Sequence, residues 1–537
     1  MIKNEKIQKI ILLFLSLISF FSTLWIRGAD LMESRNFITA REIVRSGNWL
    51  VTTLNGEYRF EKPPLPTWLT AITMKIFNTT DNETILRVPV ALATVLLIFL
   101  VYKLVKEISN NGLYGFFSAF VLSSTFMIIK LGGENAWDMY PYVFMTGTIA
   151  YLIDGFKNNK ISKYIVSALF LSASLMSKGP IALYGMLLPF FISFGIVNGF
   201  NIYKKYWKQI ILTILLGFLV ASIWPIFMIV ENKDLFFSVM NKEKDTWSNK
   251  HIQSIFFYLN YFVFMGIWIF IAAISWVKLK FFKKIKEYRV FSVGFYWTLS
   301  TIIFLSLIKM KKERYGLPIY ITSSLTVGSI LYYYYITIWN KLQKSDKILL
   351  KIQGIFLAIL SIGVPIFTFV TAYRNKIVGI GYLSLITFIY FGALFYIVNS
   401  YIANKERYKN SIIFLSGIFM IIININCTWI IERYIRGDYK TDFKYLESLK
   451  AETVLDDIYA DDYDIVDVWN VGKKIKKYDK NTELPDEFLF LSTSEVNKEI
   501  LKTHEVIKKD ELYRFRNNDK KINLYLLKKR TDMGGIQ

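Results

Sequence analysis

Residues 28–69 read GADLMESRNFITAREIVRSGNWLVTTLNGEYRFEKPPLPTWL, a charge-dense insert between two long apolar segments. Inserts of about 40 residues are usually functional or disordered, and this one carries the marks of order. Over 33–46 the apolar residues Phe37, Ile38, Ile43 and Val44 recur at helical spacing, and Gly47 stands where a helix C′ residue belongs. Asn55-Gly56, flanked by 49–54 and 57–60, predicts a two-residue β-hairpin. The hairpin leads into Glu61-Lys62-Pro63-Pro64, where two prolines fix an extended backbone. An acid and a base are thereby presented on a stiff segment at the mouth of whatever the apolar segments build.

Those apolar segments dominate the chain. Of 537 residues, 53% are hydrophobic and 17% aromatic, which excludes an ordinary soluble enzyme and indicates a polytopic α-helical membrane protein. About thirteen runs approach the ~20 residues that a bilayer crossing requires. The single cysteine, Cys427, lies inside one of them, so neither an internal disulfide nor a thiolate metal site is expected. The formal net charge of +23 does not point to nucleic acid, because most basic residues sit in short loops between apolar runs. There they set topology and meet anionic membrane lipid.

With thirteen spans, the lysine-rich loops fall on one side, from Lys3, Lys6 and Lys9 through Lys204, Lys205 and Lys208 to Lys405 and Lys409. That side is expected to be cytoplasmic, with the N-terminus on it. The insert and the C-terminal tail then lie outside, in a multi-pass membrane protein. The tail turns polar, with short apolar runs such as 488–491 and 522–527, and is expected to form a small extracytoplasmic α/β domain. The expected division is a membrane domain over 1–435, including the loop 28–69, and a tail domain over 436–537.

Positive charge on the outer face is what topology leaves unexplained. The stretch KMKKER at 309–314 holds Lys309, Lys311, Lys312 and Arg314, with Tyr315 next. Lys178 ends a span in SKGP, and Arg35 and Lys62 belong to the insert. Such groups hold phosphate oxygens through charge-assisted hydrogen bonds. The same face gathers the carboxylates Asp30, Glu33, Glu61, Glu134 and Asp138. An acid at a membrane boundary is costly without a partner or a task. His251, one of two histidines, lies in an outer segment, where with a carboxylate it suits zinc or manganese. Cations beside carboxylates fit a donor with a phosphate leaving group, a carboxylate that deprotonates an acceptor, and a cation or metal that stabilises the departing phosphate. The chain has no GxxxxGK[ST] loop for a nucleotide, so the donor is expected to be lipid-linked.

At these residues the sequence resembles membrane glycosyltransferases of the GT-C type, and among them the bacterial lipid A aminoarabinose transferases and the protein O-mannosyltransferases. The resemblance rests on DLMESRNFITAREIVRSGNWL, LNGEYRFEKPPLPTWL, NAWDMY, SKGP and KERYGLP, in that order, over about residues 25–320. It implies a GT-C fold and sugar transfer from a polyprenyl-phosphate donor, undecaprenyl phosphate in bacteria, to a lipid, glycan or protein acceptor. It also implies roles. Asp30, Glu33, Asp138 and Glu61 become the catalytic carboxylates. Arg35, Lys62, Lys178, Arg314 and Tyr315 become the donor-phosphate site. Glu61 and His251 become ligands of a divalent metal such as zinc, manganese or magnesium. The family has adjacent Asp-Glu before the arginine, whereas this chain has Met32-Glu33, with Asp30 two residues earlier. Asp30 and Glu33 share a helix face at i, i+3 if the helix extends that far, and either is a candidate base.

The competing reading is a transporter or flippase for a polyprenyl-linked sugar. Transporters keep charges near the bilayer midplane and show paired repeats. Here the charges gather at one face and no repeat is visible.

Overall fold

The computed structural model describes residues 4–249, 251–283, 289–436, 458–479, 481–513 and 521–530. The chain forms two compact units. One comprises 1–27, 60–69 and 87–430, and the other 28–59, 70–86 and 431–537.

The first unit is helical. Helix occurs in each of the thirteen segments expected to span. Among the described residues, six helices are each long and apolar enough to cross a membrane, or eight if each bent pair is one span. This is fewer than the thirteen expected, and the breaks account for two of the difference. Two segments are broken: Gly112–Ser123 meets Phe126–Gly132 at 69°, and Phe257–Phe264 meets Gly266–Val277 at 102°. Asparagine side chains start and stop the helices between. Asn111 caps Gly112–Ser123 by accepting from the Leu113 and Tyr114 N–H groups, and Asn110 closes Val88–Ser109 at φ 57°. Small residues let the helices approach closely. A Cβ on Gly328, in Leu317–Ile336, would lie 2.5 Å from the Ser118 Cα of Gly112–Ser123. At the bend before Gly266 the Trp268 indole N–H donates to Ser124 Oγ at 3.1 Å, joining the two breaks.

The second unit contains residues 28–59 of the insert. The helix Leu31–Ser46 ends at Gly47 (φ 74°), as its sequence predicts. Its start is earlier than the apolar spacing implied. Asp30 is the N-cap in extended backbone, accepting from the Met32 and Glu33 N–H groups at 2.8 Å, while Glu33 Oε2 accepts from the Asp30 N–H at 3.3 Å. The pair is a capping box, not two residues on one helix face. The hairpin is formed by β1 (Thr53–Leu54) and β2 (Glu57–Tyr58), with Thr53 opposite Tyr58. Its turn needs two left-handed residues, and Asn55 (φ 55°) and Gly56 (φ 81°) supply them. Glu42 ties helix to hairpin, accepting from the Thr53 hydroxyl and from the Gly56 N–H at 3.1 Å. Arg59 Nη1 donates to Arg35 O at 2.8 Å.

The tail strands β3 (Ile458–Ala460), β4 (Ile475–Lys477), β5 (Glu487–Ser492), β6 (His504–Tyr513) and β7 (Lys521–Lys529) form a mixed sheet of order β4-β3-β5-β7-β6. The β3 strand is parallel to both neighbours, and the helix Ile465–Val471 lies between β3 and β4 in the chain. Tyr459, Phe488, Phe490, Ile500 and Leu527 fill its core. Asn55 reaches the β4 edge: its side-chain N–H donates to Ile475 O at 2.9 Å and its Oδ1 accepts from the Ile475 N–H at 3.0 Å. One amide side chain thus pairs with a strand as a backbone would. The compact unit around the sheet therefore includes 28–59 and 70–86, which the sequence reading placed with the membrane part.

Candidate active site

In the first unit a chain of charges connects four segments. Asp138 lies in the loop one residue ahead of the helix Met139–Asn158 and is 3% exposed. Lys178, the last residue of Ile161–Lys178, donates to its Oδ1, and Arg314 Nη1 donates to its Oδ2 at 3.1 Å. The other arm of Arg314 donates to Glu134 Oε2 at 3.2 Å, and Glu134 Oε1 accepts from Arg27 Nη1 at 2.9 Å. The Lys178 ammonium lies 4.6 Å from the centre of the Tyr315 ring. Lys62 is close enough for its charge to act on Lys178.

Each position has a local reason. Arg314 and Tyr315 lie in a single 3-10 turn, Glu313–Gly316, directly before Leu317–Ile336, whose Pro318 suits a helix start. Arg27 is held by its backbone: the guanidinium of Arg87, 1% exposed, donates to Arg27 O at 2.6 Å and to Leu24 O at 2.8 Å. Two carboxylates, Glu134 and Asp138, are shared among three cations, Arg27, Lys178 and Arg314, and the Lys62 charge acts on Lys178. The cluster carries surplus positive charge. Burial pushes the Asp138 carboxyl up, but Lys178 and Arg314 pull harder, and it ionises below the usual carboxylate range.

The structure thus brings together Asp138, Lys178, Arg314 and Tyr315, all expected from sequence. Glu61 and Lys62 are half-buried in the same unit. Asp30, Glu33 and Arg35 belong to the other unit, where the two acids cap a helix. Arg27 and Arg87 were missed by the sequence reading, and Glu134 was noted without a role. Nothing in their local spacing marks them, because the partners of Glu134 are 107 and 180 residues away.

The expected metal ligands, Glu61 and His251, are not part of a three-residue ligand cluster: among the described residues no three His, Cys, Asp or Glu side chains gather as ligands. His251 is exposed in a left-handed conformation (φ 53°), and its carbonyl accepts from the Lys311 N–H at 3.0 Å. Glu134 and Asp138 spend their oxygens on arginine and lysine, so these residues do not fit a divalent ion.

The chain is similar to known proteins in sequence and in fold. The profile of the family described as dolichyl-phosphate-mannose-protein mannosyltransferase matches residues 61–224. An undecaprenyl phosphate-alpha-4-amino-4-deoxy-L-arabinose arabinosyl transferase of Shewanella sediminis is 26% identical over 299 residues, 53% of this chain and 52% of that protein. A protein of the same description from Proteus mirabilis is 28% identical over 164 residues, 30% of each chain. The chain spans at most about half the length of these two curated relatives in the matched regions. The crystal structure of ArnT from Cupriavidus metallidurans bound to undecaprenyl phosphate superposes with a TM-score of 0.72 at 14% identity, covering 98% of this chain and 99% of that one. The fold is therefore that of this GT-C glycosyltransferase, and the resemblance read from the motifs holds.

Proposed function

We propose that this chain is a glycosyltransferase that moves a sugar from a polyprenyl-phosphate donor to a lipid, glycan or protein acceptor at the outer face of a bacterial inner membrane. The reading is supported by the arabinosyl transferases it resembles and by the shared fold. The observation that carries it is the positively charged cluster around Asp138, in which two carboxylates fix three cations.

In the proposed reaction an acceptor hydroxyl or amine attacks the anomeric carbon of the donor sugar. The bond from that carbon to the phosphate oxygen breaks, and polyprenyl phosphate leaves with the electron pair. The acceptor proton passes to a carboxylate. Lys178, Arg314 and Lys62 are assigned to the phosphate, where fixed cations stabilise the charge that develops as it departs. Tyr315 orients Lys178 through its ring. Asp138 has both oxygens engaged by cations and is assigned to holding them in place. The base is then sought at Glu61, which belongs to the same unit. No step is routed through a metal.

Transfer assayed in membranes of the native host tests the reading. Lys178→Ala is expected to abolish sugar transfer while the protein remains in the membrane at normal abundance. Full turnover in that variant would remove the cluster from the chemistry.

A further inference from the structure

The tail contributes a tryptophan to the insert. Trp469, 5% exposed, lies in the short helix Ile465–Val471. Its ring centre is 5.0 Å from that of Phe37 at 52°, and the Arg41 guanidinium is 5.0 Å from the ring. Its indole N–H donates to Glu83 Oε1 at 2.9 Å. Two arginines complete the contact. Arg41 Nη2 donates to Val468 O at 3.2 Å and Arg45 Nη2 to Gly472 O at 3.1 Å. The Val468 carbonyl also accepts from the Gly472 N–H at 3.2 Å, and the partial negative charge at a helix C-terminus favours both guanidinium groups.

Phe37, Arg41 and Arg45 recur every four residues and therefore share one face of Leu31–Ser46. That helix has 16 residues and many polar ones, so its orientation depends on packing rather than on its own propensity. Its N-terminal turn carries Asp30, Glu33 and Arg35. A rotation about the helix axis would move all three.

We propose that Trp469 is a positioning residue: it fixes the orientation of Leu31–Ser46, and sugar transfer depends on that orientation. Only the last clause rests on the transferase reading.

Hydrogen exchange on the full-length protein in detergent micelles, with sugar transfer assayed in host membranes, tests it. In Trp469→Ala, exchange across 31–46 should rise about tenfold or more, while 458–460 and 487–492 stay as slow as in the wild type. Turnover should fall about tenfold with it. Trp469→Phe keeps a ring against Phe37 and Arg41 and should recover most of the protection and of the turnover. Wild-type exchange over 31–46 in Trp469→Ala would overturn the proposal, as would unchanged turnover once that exchange has risen. If Trp469→Ala also loosens the sheet, Arg45→Ala decides, because it removes only an exposed contact. Faster exchange at 43–47 over an intact sheet supports the proposal, and unchanged exchange overturns it. A wild type that transfers no sugar would sink the transferase reading alone, since exchange needs no substrate.

Discussion

Arg314 and Asp138 are 176 residues apart in the chain, and Arg314 Nη1 lies 3.1 Å from Asp138 Oδ2. The same guanidinium reaches Glu134, so one planar fork fixes two carboxylates from consecutive turns of one loop. Lysine has the charge but not the fork. Arg314→Lys is expected to weaken undecaprenyl phosphate binding about tenfold, read by titration of the purified protein. Wild-type affinity would take Arg314 out of the phosphate site.

Asp138→Asn keeps the side-chain shape and removes the charge shared by Lys178 and Arg314. Sugar transfer should drop about 100-fold or more, because the cations lose their fixed placement. The comparison requires equal amounts of folded protein, measured by size-exclusion chromatography.

The acid limb of stability follows from the same carboxyl. Its folded value lies below the ordinary one, so its contribution is present above the unfolded value and is lost as pH falls through the folded value. The melting-temperature gap between the wild type and Asp138→Asn should be flat from about pH 5 upward and close below about pH 4. A gap that closes toward alkaline pH would contradict the assignment.

Packing gives a prediction independent of chemistry. Gly328→Ala places a Cβ 2.5 Å from the Ser118 Cα, which is backbone and cannot rotate away. The two helices must part, at a cost of about 1–3 kcal/mol. Gly363→Ala meets nothing within 4 Å and serves as the control. Thermal unfolding in detergent should separate the two variants, and equal melting temperatures would refute the close approach.

Because Glu134 and Asp138 are engaged by cations, exhaustive chelation should leave turnover within about twofold of the untreated protein. Loss of activity that manganese or zinc restores would reinstate a metal at this site.

Local features were legible in the sequence where the chain itself dictates them. Asn55-Gly56 announces its turn because few other residues adopt two successive positive φ values, and Gly47 ends its helix for the same reason. The capping box was equally legible, since Asp30 and Glu33 have its spacing. Asp138, Lys178 and Arg314 stood out because charge at the ends of apolar runs is costly and therefore conspicuous, and Tyr315 stood out through the family resemblance. Arg27 and Arg87 were not, because what fixes them is a set of carbonyls and carboxylates distant in sequence. The contact of Trp469 with Phe37 and Arg41 was invisible for the same reason, and with it the membership of 28–59 in the tail's compact unit. Helix breaks at Ser124 and Met265 lie inside uniformly apolar runs, where hydropathy gives no sign of a bend.

The most direct test of the central claim is mass spectrometry of polyprenyl lipids from the native host, comparing the wild type with a strain that carries only the Asp138→Asn form. Accumulation of a polyprenyl-phosphoryl sugar in the variant, with loss of that sugar from an envelope lipid, glycan or protein, is the predicted result. An unchanged profile of lipid-linked sugars, with the Asp138→Asn protein present at wild-type abundance, would contradict the account.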